Sequence, residues 1–494
     1  MCGVLGIYDN EEVIGKIYDA MLTIQHRGQD SAGILTYDGK YHIKKGNGLV
    51  QDIFDQRNIY RLRGHVGIGH TRYPTVGEGS VEDAQPFWVN YPYGIAAAHN
   101  GNVTNFLELK KDLFEKSHKI INSNCDVEVI LNIFAEYLER FTSKEFTPEL
   151  VFNAVKYVYK RVKGSYSVVI HIANKGMLGF RDPYGLRPLL FGIKGDKMVN
   201  SYAFASESVA LDVMGFKNYE DVGPGSAIFI DNSKNRQVHR KKIINKPFRP
   251  CIFEYIYFAR PDSFLNGINV DKARVELGKS LAKRIRLSNL DIDVVVPVPD
   301  SSRTAAIQIA RELKLKYREG LVKNRYIGRT FIMPGNIERI KSIRHKLNPI
   351  RHVFEGKKVL LVDDSIVRGN TSRSIIQMVR DAGAEKIYFA SYSAPLANPC
   401  VYGIDMQTSG EFIARDSTPE QIAAKIGADA VIYQDLDEME KDVRKQNKHI
   451  QSFCKACFTG YYPTGDVSSE ILRTIEKERD DNKCKVNEED GTDE

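Results

Sequence analysis

The chain has 494 residues, 42% hydrophobic and 27% charged, which allows several domains and excludes a disordered or fibrous protein. Its net charge of +7, from 70 basic against 63 acidic residues, is small for this length and makes no case for nucleic-acid binding. No apolar run approaches the ~20 residues that span a bilayer, and the acidic start MCGVLGIYDNEE lacks the basic stretch of a secretory signal. The expectation is a cytoplasmic protein, no membrane partner, and seven cysteines kept reduced for catalysis or metal rather than for disulfides.

In chain order, the first 230 residues mix short strands with a few helices. GHVGIGHTRYP, YGIAAAHNGN, SYSVVIHIANKGMLGF and GSAIFIDN are apolar and β-branched, as strands are. VEVILNIFAEYLERF and PELVFNAVKYVYKRV carry apolar residues at helical spacing, and the pattern predicts a layered α+β domain over residues 2–240. The basic, proline-bearing segment RKKIINKPFRP at 240–250 marks a boundary. Beyond it helices alternate with the buried strands DIDVVVPVPD, KKVLLVDDS and KIYFASYSA, which predicts a parallel, doubly wound α/β sheet over 250–465. A charged tail, 466–494, closes the chain.

Cys2 follows the initiator Met directly. Removing Met1 would leave an α-amino group with a pKa near ~8 beside a thiol near ~8.5, so one residue would carry both nucleophile and base. The segments CGVLGI, QHRGQDSAG, GHTRYPTVG and HNGNVTN together resemble the class II glutamine amidotransferases, whose glutaminase domain is an N-terminal-nucleophile hydrolase with an αββα sandwich. The resemblance implies that the Cys2 thiol attacks the glutamine side-chain amide and that Asn100 and the Gly101 N–H bind the oxyanion. It also implies that Arg72 holds the substrate carboxylate and Asp126 its ammonium. Asn-Gly is equally a strong hairpin signal, and both readings can hold.

KKVLLVDDSIVRGNTS at 357–372 is a strand, an acidic pair and a small-residue loop opening a helix. That order places carboxylates at a strand's carboxyl edge and backbone N–H groups where a phosphate would sit. The stretch resembles the phosphoribosyl pyrophosphate (PRPP) motif of type I phosphoribosyltransferases. By that resemblance Asp363 and Asp364 hold the ribose hydroxyls, and Ser365, Arg368, Gly369, Asn370, Thr371 and Ser372 wrap the 5-phosphate. Asp363, Asp364 and Ser301 would hold one Mg²⁺ per subunit, since hard cations take oxygen ligands. The run from 323 to 351 has eight Lys or Arg and one acid, and reads as a lid over a polyanion, with Lys323 and Arg329 as pyrophosphate contacts.

A glutaminase followed by a PRPP site resembles the amidophosphoribosyltransferase family, from Cys2 to about residue 465. The family's reaction joins PRPP, glutamine and water to give 5-phosphoribosylamine, glutamate and pyrophosphate, the committed step of purine synthesis. Cys251, Cys400, Cys454 and Cys457 stand where its iron–sulfur branch places the ligands of one [4Fe–4S] cluster per subunit, with zinc as the alternative metal. Cys125 and Cys484 match no ligand position. Only Met1 precedes the nucleophile, where cluster-bearing relatives often carry a short propeptide. Purine nucleotides as feedback inhibitors and a homodimer or homotetramer are carried over from the family. Another class II amidotransferase, a silent PRPP sensor and a nucleic-acid-binding protein are the competing readings. The retained PRPP motif, Cys2, Arg72 and Asp pair speak against them.

Overall fold

The computed structural model describes residues 1–73, 80–195, 199–324, 347–404, 406, 410 and 412–473. Two antiparallel sheets stack in the first half. One has seven strands, in the order Asn218–Asp221, Leu190–Lys194, Ser201–Ala205, Gly3–Tyr8, Val66–Arg72, Ser31–Tyr37 and Tyr41–Asn47. The other has six, in the order Val238–Lys242, Ser226–Asp231, Gly176–Arg181, Gly164–Ile172, Ile95–Val103 and Phe87–Val89.

Period-two alternation sorts these strands' side chains into layers. Val4, Ile68, Ala96, Ala98 and Val169 fill the space between the sheets. Ile95, Ala97, Val168 and Ile170 point the other way, against the helices Val127–Glu139 and Pro148–Arg161. Each fully buried Ile or Val contributes about 1.5–3 kcal/mol of transfer free energy. Thr147 caps the second helix by accepting the Leu150 N–H at 3.3 Å, with Pro148 pre-set at its first position. On the far side of the seven-stranded sheet lies Ile14–Thr23, a helix the sequence patterning above did not mark. The result is the αββα sandwich expected from the N-terminal motifs.

The second half is built on a five-stranded sheet whose strands run parallel in the order Lys316–Tyr317, Val294–Pro297, Lys358–Asp363, Lys386–Ser391 and Ala430–Tyr433. Val295, Leu360 and Val362 face helices Val270–Leu287 and Arg303–Leu313. Val294, Val296 and Leu361 face Asn370–Asp381 and Pro419–Ile426. Helices on both faces explain why these strands read as unbroken apolar runs.

The halves share a core. Leu5, Ile7 and Ile34 of the seven-stranded sheet belong to one buried cluster with Ile252, Leu277, Leu360 and Phe453. The connecting stretch is stitched to the first half, with Arg249 N bonded to Tyr184 O at 2.9 Å and Cys251 N to Leu186 O at 3.1 Å. Buried charge also crosses over. Fully buried Arg27 pairs with Glu207 through Nε and with Glu254 Oε2 through Nη2 at 2.7 Å. His26 adds a 2.7 Å contact to Glu207. Burial pushes the Glu207 carboxyl up, but the Arg27 and His26 charges outweigh it and hold Glu207 well below the usual carboxylate range. No described helix is long and apolar enough to cross a membrane.

Candidate active sites

Sheet register brings the N-terminal motifs to one end of the sandwich. Gly3 pairs with Thr71, so the strand ending at Arg72 delivers that guanidinium beside Cys2. Asn100 and Gly101 lie opposite Ser167 and Tyr166 within a strand pair rather than in a hairpin turn. A Cβ on Gly101 would sit 2.0 Å from the Ser165 carbonyl oxygen, so the close approach of this strand requires glycine.

Cys2 is buried. Its backbone N–H donates to Asn100 Oδ1 at 3.3 Å, and its thiol lies 3.7 Å from the Tyr73 carbonyl. Asn100 is fully buried, and its Nδ2 has no hydrogen-bond partner among the described residues. A buried amide donor left open beside a thiol is what an oxyanion site needs before substrate arrives.

Arg72 lies 3.5 Å from Asp83. Burial works against its charge, but the electrostatic influence of neighbouring Cys125, Asp83, Cys2 and Asp126 outweighs it and raises the guanidinium above its ordinary value. Asp126 Oδ2 accepts the Val103 N–H at 2.8 Å, and Oδ1 lies 3.2 Å from His99 Nε2. Burial raises the Asp126 carboxyl, while the His99 charge and hydrogen bond, the Val103 amide and Arg72 together lower it below its ordinary value. His99 is fixed in turn by Gln85, whose Nε2 lies 3.1 Å from Nδ1 and whose Oε1 accepts the His99 N–H at 2.7 Å. Gln85 and His99 were not among the sequence-derived candidates, although His99 adjoins the Asn-Gly pair. Cys125, set aside from the sequence, lies in this wall as acceptor of a 3.4 Å contact from Gln85 Nε2, with burial pushing its thiol up to about 12.

In the second half, the strand Lys358–Asp363 ends on the acidic pair at the sheet's carboxyl edge. Asp363 Oδ1 accepts the Asp364 N–H at 2.9 Å, and Asp364 accepts the Ser365 and Ser301 hydroxyls, each at 2.5 Å. Burial and the Asp364 charge push Asp363 well above the carboxylate range, opposed by the Asp364 amide. Burial raises Asp364 as well, opposed by the two hydroxyls and Arg274. Concentrated negative charge on oxygen donors, with Ser301 brought alongside, fits a hard divalent cation.

Gly369, at φ +80°, turns the chain into the helix Asn370–Asp381, so Ser365 to Gly369 form a loop and Asn370 to Ser372 the first turn of the helix it leads to. Lys323 ends a short strand with Nζ 3.0 Å from Asp300, which also pairs with Arg303 at 2.9 Å. Arg329, like Cys484, lies outside the described residues.

Cys251, Cys400, Cys454 and Cys457 are all buried and belong to the shared core. Cys251 and Cys454 pair in an isolated parallel bridge, and the Tyr402 N–H points to Cys400 Sγ at 3.4 Å. Burial, with the neighbouring thiols' charges adding to it, raises the Cys457 thiol well above its ordinary value. No group of three or more His, Cys, Asp or Glu among the described residues converges closely enough to hold a metal ion. The donor set is nonetheless all thiol, which suits a soft metal centre.

Known proteins share this arrangement. A glutamine amidotransferase domain model matches residues 70–213, and a phosphoribosyl transferase domain model matches 268–397. The amidophosphoribosyltransferase of Pasteurella multocida is 48% identical, covering 100% of this chain and 98% of the relative. That of Saccharomyces cerevisiae is 45% identical, over 97% of this chain and 96% of its own. A solved structure of glutamine PRPP amidotransferase from B. subtilis, complexed with ADP and GMP, is 39% identical with a TM-score of 0.83, covering 95% of this chain and 98% of that one.

Proposed function

The chain belongs to the amidophosphoribosyltransferase family, and from that premise we propose how its residues divide the work. The enzyme uses glutamine to aminate PRPP in purine biosynthesis. Cys2 is the nucleophile of the glutaminase half. After Met1 is removed, its α-amino group takes the thiol proton and the thiolate attacks the glutamine amide carbon. Asn100 Nδ2 and the Gly101 N–H stabilise the oxyanion, ammonia leaves, and water hydrolyses the thioester to glutamate. Arg72 and Asp126 hold the substrate's carboxylate and ammonium. The unpartnered, buried Asn100 Nδ2 beside Cys2 carries this reading.

In the transferase half, ammonia attacks C1 of the ribose and pyrophosphate departs. Asp363 and Asp364 orient the ribose hydroxyls, and the 365–372 loop holds the 5-phosphate. Asp363, Asp364 and Ser301 would hold one Mg²⁺, which supplies charge neutralisation for the departing pyrophosphate. Lys323 and Arg329 are its proposed protein counterparts. Ammonia passes between the sites without meeting bulk water, so glutamine-dependent synthesis should resist scavenging of free ammonia.

The four buried cysteines would hold one [4Fe–4S] cluster with a structural role, tying the 454–457 segment to the transferase half. Anaerobically purified protein should then carry about four iron atoms per chain, and zinc in their place would overturn this assignment. The B. subtilis relative was solved with ADP and GMP, and purine nucleotides are the proposed inhibitors here as well. A cytoplasmic homodimer or homotetramer is the proposed working form.

The decisive assay follows glutamate and pyrophosphate together, beside a Cys2→Ala variant supplied with ammonia. The parent should form both products in step. The variant should lose glutamine-dependent synthesis by roughly 10⁴-fold or more and keep the ammonia-dependent reaction. Glutamine turnover surviving in Cys2→Ala would refute the assignment.

A further inference from the structure

We propose that Arg187 is a positioning residue of the glutaminase reaction, pinning the 401–403 loop of the transferase half against the strand that carries the oxyanion donors. The inference rests on the roles given above to Asn100 and Gly101.

Arg187 belongs to the first half and is fully buried. Its Nε donates to the Tyr402 carbonyl at 2.7 Å, and Ser165 Oγ donates to the same oxygen at 2.9 Å. The neighbouring carbonyl, Val401 O, accepts Asn102 Nδ2 at 2.9 Å. Three donors of the glutaminase half therefore hold two successive carbonyls of one transferase loop. Two of them, Asn102 and Ser165, lie on the paired strands around Gly101.

The next loop residue, Gly403, has φ +95°, and a Cβ there would lie 3.0 Å from the Gly101 carbonyl oxygen. Backbone thus rests on backbone at the residue assigned as an oxyanion donor, and a left-handed glycine is what permits it.

The guanidinium is itself aimed from the other half. Its Nη1 lies 3.3 Å from Glu254 Oε1, and Glu254 is anchored through Oε2 by Arg27 Nη2 at 2.7 Å. Arg187 Nη1 also contacts the Met1 sulfur, a contact that ends when Met1 is removed and on which the proposal does not depend. Burying an arginine is costly unless its partners are fixed, and here a carboxylate and a carbonyl fix its plane. Loosening the loop would let the 100–102 strand shift, and a displacement of ~1 Å at reacting groups costs about 10²-fold in rate.

The test uses full-length, anaerobically purified enzyme and Arg187→Met, which keeps an unbranched apolar stem, removes the guanidinium and leaves Glu254 paired with Arg27. Glutamine-dependent kcat should fall about 10²-fold, with KM for glutamine and the ammonia-dependent rate each within about twofold of the parent. An unchanged glutamine kcat, or an equal loss with ammonia, overturns the proposal. Should Arg187→Met lack the parent's near-UV dichroism, Gly403→Ala, which disturbs no buried charge, carries the same expected pattern and the same refuting outcomes. Asn100→Ala serves as the control and should lose about 10²–10³-fold. If that control keeps full glutamine activity, the oxyanion assignment itself falls; if only the control loses activity, the Arg187 inference alone fails.

Discussion

The two sites treat their carboxylates in opposite ways. Asp126, in the glutaminase half, is satisfied by His99, Val103 and Arg72 and ionises more readily than a free aspartate. Asp363, in the transferase half, faces burial and a second carboxylate, and ionises less readily. The first site is complete in charge before substrate comes, while the second holds an excess of negative charge that a cationic partner would relieve. One half is arranged to admit a small zwitterion into a finished polar pocket. The other assembles around a substrate that brings its own charge and counter-ion.

The sign of each shift sets the stability consequence. A depressed carboxyl adds stability above its unfolded pKa of about 3.9, and that stability is lost as pH falls through the folded value. A raised carboxyl does the reverse, so the stability associated with Asp363 is full at low pH and declines as pH rises through its folded value. The largest effect that would break the comparison comes from Asp363→Asn. PRPP-dependent turnover should fall about 10³-fold, while the apo protein at pH 7 gains about 0.5–2 kcal/mol in thermal unfolding. A variant both inactive and less stable would show that Asp363 is already neutralised within the protein.

Asp126→Asn should move both quantities the other way in stability and less in rate. Losing a charge-assisted partner costs about 1.5–3 kcal/mol, so KM for glutamine should rise roughly 10–100-fold with ammonia-dependent synthesis intact. The melting temperature at pH 7 should drop, and the drop should shrink as pH falls below the parent's Asp126 titration. A pH-independent deficit would mean that packing, not charge, was lost.

The difference between the sites also explains what the sequence could reveal. The acidic pair, Gly369 and the helix after it are neighbours along the chain, so a strand, a turn and a helix could be read as one local device. Cys2, Arg72 and Asn100 are far apart in sequence, and it was resemblance that joined them; sheet register explains why they meet. Arg27, Arg187, Glu207 and Glu254 were not legible at all. Their pairings span 67 to 227 residues, and a buried arginine carries no local signature distinguishing it from a surface one. The same holds for Gly403, one of 38 glycines until Gly101 is seen beneath it. Cys454 and Cys457 announce themselves as a CxxC pair, whereas Cys251 and Cys400 are joined to them in the sequence only by the family resemblance, and all four belong to the shared core.

The smallest effect concerns Lys323, assigned to pyrophosphate and paired with Asp300 in the structure. Both partners are about half exposed, at 47% and 51%, so the pair contributes about 0–1 kcal/mol. Asp300 would also keep Arg303 after the lysine is lost. Lys323→Ala should therefore leave the melting temperature nearly unchanged. If the ammonium leaves Asp300 for the pyrophosphate when PRPP binds, the variant should show KM for PRPP raised roughly fivefold and a weaker rise of KM with salt than the parent. Lys323→Arg, which keeps the charge, should recover most of that loss. A Lys323→Ala variant with parental KM and parental salt dependence would assign the lysine to Asp300 alone, as a brace on the 300–303 turn. The excess negative charge at Asp363 and Asp364 would then have to be met without help from this side of the cleft.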